Sequence, residues 1–401
     1  MSKGARLPME PQPLPDVQRG VSLWRLTTGG GRQYVPYFYN PHLDHSGRRL
    51  LFMWQRAGME QLWVLDRDQG VATQLTDAQG RDQCWAPYIK EGVRGIRPQF
   101  ACWCQPDWQH AIFWEGNRLS SVHIESLKVE VLHTIADDQV PMVPHCSAAG
   151  WLAWGYMPAS LQGRLRQGAS LRQLLEHDAS FQREIGGGRC GFAVFDLVTR
   201  RLVMDVSTPF WPNHVQASPD NRWVLFCQEG PWDAQRMHLL NAATGTCAPL
   251  RPQDGVVAIG HEFWMTPTQA GYHGSVPAAS SSGVKRGFFG RIDVQTGVRT
   301  EIFSTVGEQH YGHYHASPDG SAVATDGELT MEWLSIAPLQ TQTLDFQPVA
   351  RHGWQRRGDQ RVHPHPHWHT GGRLITFTGV ETGDDPAQTH VLLAQVPSSI
   401  A

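Results

Sequence analysis

The sequence concentrates histidines in one short tract, DQRVHPHPHWHTGG, between Asp359 and Gly372. His363 and His365 are two residues apart, so both lie on the same side of the backbone if this segment is a strand. Neutral imidazoles in such a pair are suitable ligands for a borderline transition metal, and Gln360 is a plausible oxygen ligand. The alternative is a packed or exposed histidine-rich tract that binds metal only adventitiously. The pattern favours a true metal site if a further histidine arrives from elsewhere in the chain.

The element that could supply this histidine is an internal repeat. A turn resembling Ser-Pro-Asp-Gly recurs along the chain, each time between strand-like apolar runs, as in HVQASPDNRWVLFCQEG and HYHASPDGSAVATDG. Propeller blades contain four antiparallel strands and typically repeat every ~40–50 residues, and most of the intervals between these turns are close to that length. The seven turn positions are Asp44, Asp107, Ala149, Asp220, Pro267, Asp319 and Gly371.

These repeats predict an all-β fold, a seven-bladed β-propeller that spans residues 20–401 as a single domain. The longest interval contains a helical insertion in blade 3, at residues 158–189, where the strand pattern gives way to helical periodicity. The segment GVSLWRLT, residues 20–27, is predicted to pair with the last blade and to close the ring. Residues 1–19 are rich in proline and are expected to form an unstructured extension. The alternative, a pair of β-sandwiches, does not explain why one turn recurs seven times.

A propeller brings one register of its first strands together around a central channel. Six residues before each turn position, four consecutive blades carry histidine in a chain that has only 20 histidines in 401 residues. We expect these side chains to ring one mouth of the channel, with His313 completing a metal site beside His363 and His365. The seven residues of this register are Phe38, Ala101, Val143, His214, His261, His313 and His365.

Four further roles are predicted from residue types in the same region. Arg236 could bind a carboxylate through two parallel hydrogen bonds, or it could be an exposed strand arginine. His261 is a candidate general base, because an imidazole is largely neutral near its usual pKa of about 6.5; the alternative is a core histidine. His214 and His315 are candidate contacts of the substrate, or of the side chains that hold the metal and the substrate.

Composition excludes several other classes of protein. The formal charge of −3 gives no excess of basic residues, which argues against nucleic acid as the main partner. The apolar runs are far shorter than the ~18 residues of a membrane helix, so no membrane partner is expected. The start of the chain lacks the apolar stretch of a secretory signal, and the 7 cysteines suggest no disulfide framework, so we expect a cytoplasmic protein. The motifs of serine hydrolases and of nucleotide-binding loops are missing.

Three motifs carry a resemblance to a known family. The segments GHEFW at residues 260–264, EGPWDAQRM at 229–237 and DQRVHPHP at 359–366 resemble those of the oligogalacturonate lyases. The likeness extends over most of the chain, through the opening VSLWRLT and the helical insertion.

The resemblance implies a cytoplasmic seven-bladed propeller that cleaves short oligogalacturonates, chiefly the dimer, by β-elimination to an unsaturated uronate. It also implies a small anionic partner such as di- or trigalacturonate, with His261 as base and Arg236 on a substrate carboxylate. The cofactor implied is a divalent metal, Mn²⁺, held by four ligands: His313, Gln360, His363 and His365. Two other functions stay open from the residues alone, a non-catalytic interaction scaffold and a metal enzyme with a different reaction on sugar acids.

Overall fold

The fold is taken from a computed structural model, which describes residues 1–15, 17–80, 94–166, 171–230, 234–278, 284–307, 312–327, 331–354, 363–380 and 388–398. These residues form seven sheets, each built around an antiparallel meander. The sheets are the blades of a seven-bladed β-propeller, which confirms the predicted fold.

The first four blades follow the chain in order. Blade 1 consists of Arg32–Tyr34, Arg49–Arg56, Met59–Asp66 and Val71–Gln74, with Arg94–Gly95 added in parallel to its third strand. Blade 2 consists of Ala101–Trp103, His110–Glu115, Arg118–His123 and Val129–Thr134. Blade 3 consists of Gln139–Pro141 and His145–Cys146, both paired with Trp151–Pro158, then Cys190–Asp196 and Arg201–Thr208. Blade 4 consists of Pro212–Ala217, Trp223–Gln228, Met237–Asn241 and Cys247–Pro249.

The remaining blades complete the ring. Blade 5 consists of Ala258–Thr266, Gln269–Pro277, Lys285–Asp293 and Arg299–Phe303. Blade 6 consists of Tyr314–Ala316, Ala322–Thr325, Trp333–Pro338 and Gln347–Arg351. Blade 7 consists of His367–Trp368, Leu374–Gly379, His390–Gln395 and two strands from the start of the chain, Ser22–Arg25 and Gln12–Leu14.

The recurring turn has a common physical basis in its aspartate. The Asp319 Oδ1 atom accepts hydrogen bonds from the Ser317 hydroxyl (2.6 Å) and from the backbone N–H of Ser321 (3.0 Å). Asp220 accepts equivalent bonds in blade 4, from the Ser218 hydroxyl and the Arg222 N–H. In blade 1, Asp44 instead accepts from the Ser46 hydroxyl and from the backbone N–H groups four and five residues onward. A short side chain that bonds backbone two residues onward stabilises a tight turn between two strands, and this is why the motif repeats.

The strands after these turns are apolar because blades pack face to face around the ring. In the strand Arg49–Arg56, the five residues 50–54 are all apolar and at most 2% exposed. A continuous apolar run of this kind is expected where both faces of a sheet are covered.

The insertion in blade 3 is helical, as predicted. It comprises the helices Ala159–Arg166, Leu171–His177 and Ala179–Glu184 and a π-helical turn, Ile185–Arg189. Leu174, Phe181 and Ile185 pack with Trp211 in one buried cluster. Trp211 directly precedes the first strand of blade 4, so this cluster fixes the insertion against that blade. Among the described residues, no helix has the length and apolar character needed to cross a membrane.

The predicted closing strand is present. Ser22–Arg25 pairs antiparallel with Leu392–Gln395, so the outer part of the last blade comes from the beginning of the chain. The expectation that residues 1–19 are unstructured is wrong for two segments. Arg6–Pro8 pairs with Val71–Thr73 of blade 1, and Gln12–Leu14 pairs with Leu23–Arg25.

The same N-terminal segment also reaches blade 6, where the Gln18 N–H donates to the Val349 carbonyl at 3.0 Å. We call residues 6–15 and 17–25 the N-terminal strap, since they lie along the outer edges of blades 1, 7 and 6. The physical reason for this order is that open sheet edges leave backbone groups unpaired, and the strap satisfies them. Met9, only 1% exposed, anchors the strap in the apolar cluster of blade 1.

Replacing one apolar residue of the closing strand is expected to destabilise the whole ring. Leu23 is 2% exposed and packs in a cluster with Trp368, Ile375 and Phe377. We predict that Leu23→Ala lowers the free energy of unfolding by about 2–5 kcal/mol, because it leaves a cavity at the closure. Urea unfolding followed by tryptophan fluorescence measures the change.

The matched control is Leu202→Ala, in the outer strand of blade 3, where the side chain is 38% exposed. This change is expected to stay within about 0.5 kcal/mol. Equal effects of the two substitutions would show that the closing strand contributes nothing special to stability.

Candidate active site

The backbone at the predicted histidine positions is unusual. His214, His261 and His365 have positive φ values of 48°, 25° and 49°, which non-glycine residues adopt rarely. In blades 4 and 5 the strand register shifts across these positions, between Asn213 and Gln216 and between Gly260 and Phe263. Bulges of this kind re-aim side chains, and each left-handed residue costs on the order of 1–3 kcal/mol. The fold therefore holds these histidines in place against a local cost.

The four histidines of the predicted register converge. The ring centroids of His261 and His313 are 4.3 Å apart, those of His313 and His365 are 4.2 Å apart, and those of His214 and His261 are 5.6 Å apart. The ring centroid of Phe38, from the same register of blade 1, lies 5.3 Å from that of His313. Residues that are far apart in sequence and belong to different blades thus come together in one cluster.

Three of the four predicted metal ligands can bind one ion. His313, His363 and His365 each offer a ring nitrogen, and these three atoms all lie within 4.8 Å of one another. The His365 Nε2 atom is buried and has no hydrogen-bond partner among the described residues. A buried polar atom in that state costs about 1–3 kcal/mol, which a bound cation would relieve. The residues present therefore fit a divalent metal; Gln360 lies outside the described residues.

His363 and His365 face the same site for a different reason than the sequence suggested. The strand of blade 7 begins only at His367, so strand alternation does not apply to them. The left-handed backbone at His365 turns its ring toward His313 instead. On the opposite side, His365 Nδ1 lies 3.2 Å from the amide nitrogen of Gln99.

Asp326 is a part of the site that the sequence did not reveal. Its Oδ2 atom accepts a hydrogen bond from His313 Nδ1 at 2.8 Å, and its side chain is buried. Burial alone raises the pKa of this carboxyl, but the charge interaction and hydrogen bonds with His313 outweigh burial and hold the pKa below its usual value. Asp326 is thus a buried carboxylate. It directly follows the strand Ala322–Thr325, and this position gave no sequence signal.

His261 is a neutral imidazole with a defined tautomer. Its Nδ1 atom lies 2.8 Å from the carbonyl oxygen of Gly312 and 2.9 Å from His273 Nε2. A carbonyl oxygen only accepts, so Nδ1 carries the proton and Nε2 carries the lone pair. Burial, followed by the neighbouring His313, His273 and His214, lowers the pKa of His261 well below its usual value. At neutral pH its Nε2 atom is therefore able to accept a proton.

Arg236 is buried, with 2% exposure, and is therefore not the exposed strand arginine of the alternative interpretation. Its Nε atom donates to Glu262 Oε2 at 3.1 Å, while His214 Nδ1 donates to Glu262 Oε1 at 2.8 Å. Burial raises the pKa of Glu262, but Arg236 and His214 outweigh burial and lower the pKa to about 2. The Tyr37 hydroxyl completes the group, 3.0 Å from His214 Nε2.

Glu262 and Tyr37 were not predicted. Glu262 directly follows His261 in the GHEFW motif, and the bulge there lets both adjacent side chains face the channel. Its place in that motif was the one sequence signal that could have drawn attention to it. Tyr37 precedes the register position Phe38 by one residue, and alternation would have placed it on the other face.

The two candidate substrate contacts occupy different surroundings. Both ring nitrogens of His214 have partners inside the protein, Glu262 and Tyr37. The ring of His315 packs on Phe263 and His367, and its Nδ1 atom accepts a hydrogen bond from the Trp368 N–H. Their contact with a substrate stays a prediction.

The fold and the site together define a class of protein: a seven-bladed β-propeller in which neighbouring blades bring together a histidine site of metal-binding geometry. Over the full length of both proteins, the chain is 22% identical to the oligogalacturonide lyase of Pectobacterium atrosepticum and 23% identical to the oligogalacturonate lyase of Dickeya dadantii. These relationships confirm the predicted resemblance to the oligogalacturonate lyases and the predicted enzyme class, a lyase. No protein-family model matches the chain.

Solved structures give the same fold. An oligogalacturonate lyase in complex with manganese superimposes with a TM-score of 0.76 at 22% identity, and all of each chain is covered. The oligogalacturonate lyase of Vibrio parahaemolyticus superimposes with a TM-score of 0.78 at 19% identity, again over all of each chain.

Buried neutral histidines predict a steep loss of stability in acid. Burial, as the main cause, lowers the pKa to about 3 for His42, His145 and His273 and to about 4 for His352. These histidines take up protons near pH 6.5 when unfolded, so the stability they contribute is complete above that pH and is lost as pH falls towards 4. Four such groups make the free energy of unfolding fall by about 5 kcal/mol for each pH unit of acidification near pH 5.

Urea unfolding between pH 7 and pH 5, with chelator present, measures this slope. Replacing His145 with Gln is expected to reduce it by about 1.4 kcal/mol per pH unit, the contribution of one proton. A free energy of unfolding that does not change over this range would contradict the prediction.

Proposed function

We propose that the protein is a metal-dependent lyase that cleaves short oligogalacturonides, or closely related uronate oligosaccharides, by β-elimination to 4,5-unsaturated products. The observation that carries this proposal is the pairing of a neutral imidazole with a cation site. The His261 ring lies 4.3 Å from that of His313, which belongs to the three-histidine group. The full-length relationship to proteins named oligogalacturonide and oligogalacturonate lyase supports the choice of substrate.

The reaction needs both parts of this pair. The C5 proton of a uronate is a poor acid, because its removal adds negative charge next to a carboxylate. Held by His313, Gln360, His363 and His365, a divalent ion, Mn²⁺ in our proposal, would offset this charge. Manganese in the complex of a structural neighbour supports that identity.

His261 acts as the base in this proposal. Its Nε2 atom takes the C5 proton, the electron pair of the C5–H bond forms the C4–C5 double bond, and the C4–O4 bond breaks. The leaving oxygen keeps that bond's electron pair and takes up a proton from water, and His261 releases the C5 proton to the solvent before the next turnover. The Gly312 carbonyl holds His261 through Nδ1–H, so Nε2 stays directed away from it, and the imidazolium that forms keeps this hydrogen bond.

Arg236 binds a substrate carboxylate in this proposal. Glu262 accepts a hydrogen bond from its Nε atom and so fixes the plane of the guanidinium, which suits the planar recognition of a carboxylate. His214, bonded to the same Glu262, and His315 are proposed as further substrate contacts. The partner is a small anionic oligosaccharide of the di- or trigalacturonate type, and we propose a cytoplasmic location.

Removing the base is expected to stop the chemistry without removing the metal. We predict that His261→Gln lowers kcat on digalacturonate by about 10²–10⁴-fold, the usual contribution of a general base. The absorbance of the conjugated unsaturated uronate in the ultraviolet follows the reaction. Metal content is measured on the same samples and is expected to be unchanged.

The control is His177→Gln, a change of the same type at an exposed helix position. It is expected to keep full activity. If the wild-type protein with metal bound gives no unsaturated product from any of several uronate oligomers, the proposed reaction is wrong.

Removing a metal ligand is expected to abolish both binding and turnover. His363→Ala takes away one of three nitrogens that lie within 4.8 Å of one another. We predict that this variant binds no stoichiometric Mn²⁺ after dialysis and gives no unsaturated product, and that chelator has the same effect on the wild type. Full activity in chelator would contradict the role of a metal.

A further inference from the structure

We propose that Asp326 is the positioning residue of the metal site, a buried carboxylate that sets the orientation and the tautomer of its ligands. This inference rests on the proposed function, since it assumes a metal at His313, His363 and His365. It concerns a residue outside the ligand set and outside the three sequence motifs shared with the lyases. Asp326 directly follows the strand Ala322–Thr325 of blade 6 and is 3% exposed.

The first step of the argument is the double contact with His313. Asp326 Oδ2 accepts from the ring Nδ1 at 2.8 Å, and Asp326 Oδ1 accepts from the backbone N–H of His313 at 2.6 Å. A carboxylate only accepts hydrogen bonds, so Nδ1 carries a proton, and in the neutral ring that can bind a metal the lone pair is on Nε2. A ligand histidine held this way presents one nitrogen to the metal in a fixed direction.

The second step is the contact with the neighbouring blade. The backbone N–H of His365 donates to Asp326 Oδ2 at 3.4 Å, so one carboxylate touches ligands from blades 6 and 7. This bond holds the backbone of His365, where φ is 49°. The Nε2 atom of His365 is buried and has no hydrogen-bond partner among the described residues. Asp326 therefore stabilises the local conformation that brings His365 to the site.

The third step reaches the remaining ligand. The Asp326 carbonyl oxygen lies 3.2 Å from His352 Nε2, so that nitrogen carries the proton and His352 Nδ1 is an acceptor. The Trp354 N–H donates to His352 Nδ1 at 3.1 Å, which agrees with this tautomer. The Trp354 ring in turn packs against His363 with centroids 4.4 Å apart. Asp326 is thus connected to all three described ligands.

The charge of Asp326 adds to its geometric effect. The proposed ligands are three imidazoles and one amide, all uncharged. A carboxylate that accepts the Nδ1 proton of His313 makes Nε2 more basic and places a negative charge close to the cation. Both effects favour metal binding in a buried site, where an uncompensated charge is costly. A purely structural Asp326 would stabilise the fold without changing metal affinity.

The test compares metal affinity in Asp326→Asn with that in the wild type. The full chain is stripped with chelator, dialysed and titrated with Mn²⁺ by calorimetry. We expect Kd to rise about 10–100-fold, the usual effect of losing a partner of a metal ligand. The matched control is Asp345→Asn, an exposed aspartate of the same blade that bonds only to Gln347 among the described residues, and its Kd is expected to match the wild type. A change in unfolding free energy with no change in Kd would overturn the inference.

A second measurement reads the tautomer in the wild type and does not depend on the folding of Asp326→Asn. Nuclear magnetic resonance of the metal-free, ¹⁵N-histidine-labelled protein reports the tautomer of each ring, and His313 is assigned by its loss in His313→Gln. We expect the Nδ1–H tautomer, with the proton in a strong hydrogen bond. The Nε2–H tautomer at His313 would overturn the inference.

The outcomes separate this inference from the proposed function. If the wild type binds no Mn²⁺, the metal assignment fails and the inference fails with it. If the wild type and Asp326→Asn bind Mn²⁺ equally well, only the inference fails. If Mn²⁺ binds and Asp326→Asn weakens it but no unsaturated uronate is formed, the inference stands and the proposed reaction fails.

Discussion

Closure of the ring by the backbone hydrogen bonds between Ser22–Arg25 and Leu392–Gln395 is the constraint on which the channel depends. An open row of blades would leave sheet edges unpaired and would not hold the first strands around one axis. Closure brings His214, His261 and His365 within a few ångströms of common neighbours although three blades supply them. The left-handed backbone at these residues is sustained by the packing that closure completes.

Within the channel, two buried carboxylates divide the polar groups between them. Glu262 holds Arg236 and His214, while Asp326 holds His313 and the backbone of His365. A buried charge is tolerated only when it is paired and hydrogen-bonded, and each carboxylate meets that condition. The rings of His261 and His365 stay neutral because burial lowers the pKa of each and disfavours its charged form. The site therefore presents proton-accepting and ligating nitrogens in a framework whose charges are already compensated.

The repeat and the histidine register could be predicted from the sequence because both are local patterns repeated at blade spacing. The aspartate turn and the apolar strands indicated the blades. The histidines that lie six residues before the turn positions indicated the histidine cluster. Asp326, Glu262 and Tyr37 could not be predicted, because their roles come from contacts between blades and from bulges that change which way a side chain faces. The strands Arg6–Pro8 and Gln12–Leu14 of the strap were missed, since a proline-rich segment lacks strand periodicity and their pairing depends on strands elsewhere in the fold.

The pairing of the strap with the last blade sets the order in which the ring can close during synthesis. Residues 22–25 are synthesised before blades 1 to 6, and their partners at 392–395 are synthesised after those blades, so this strand stays unpaired until residues 392–395 have been made. Blades 6 and 7, which supply His313, His363 and His365, are synthesised after the other five blades. A nascent chain therefore cannot bind a cation at this cluster until His365 has been synthesised, and a product that stops before this residue would lack both the closing strand pair and the full three-histidine group.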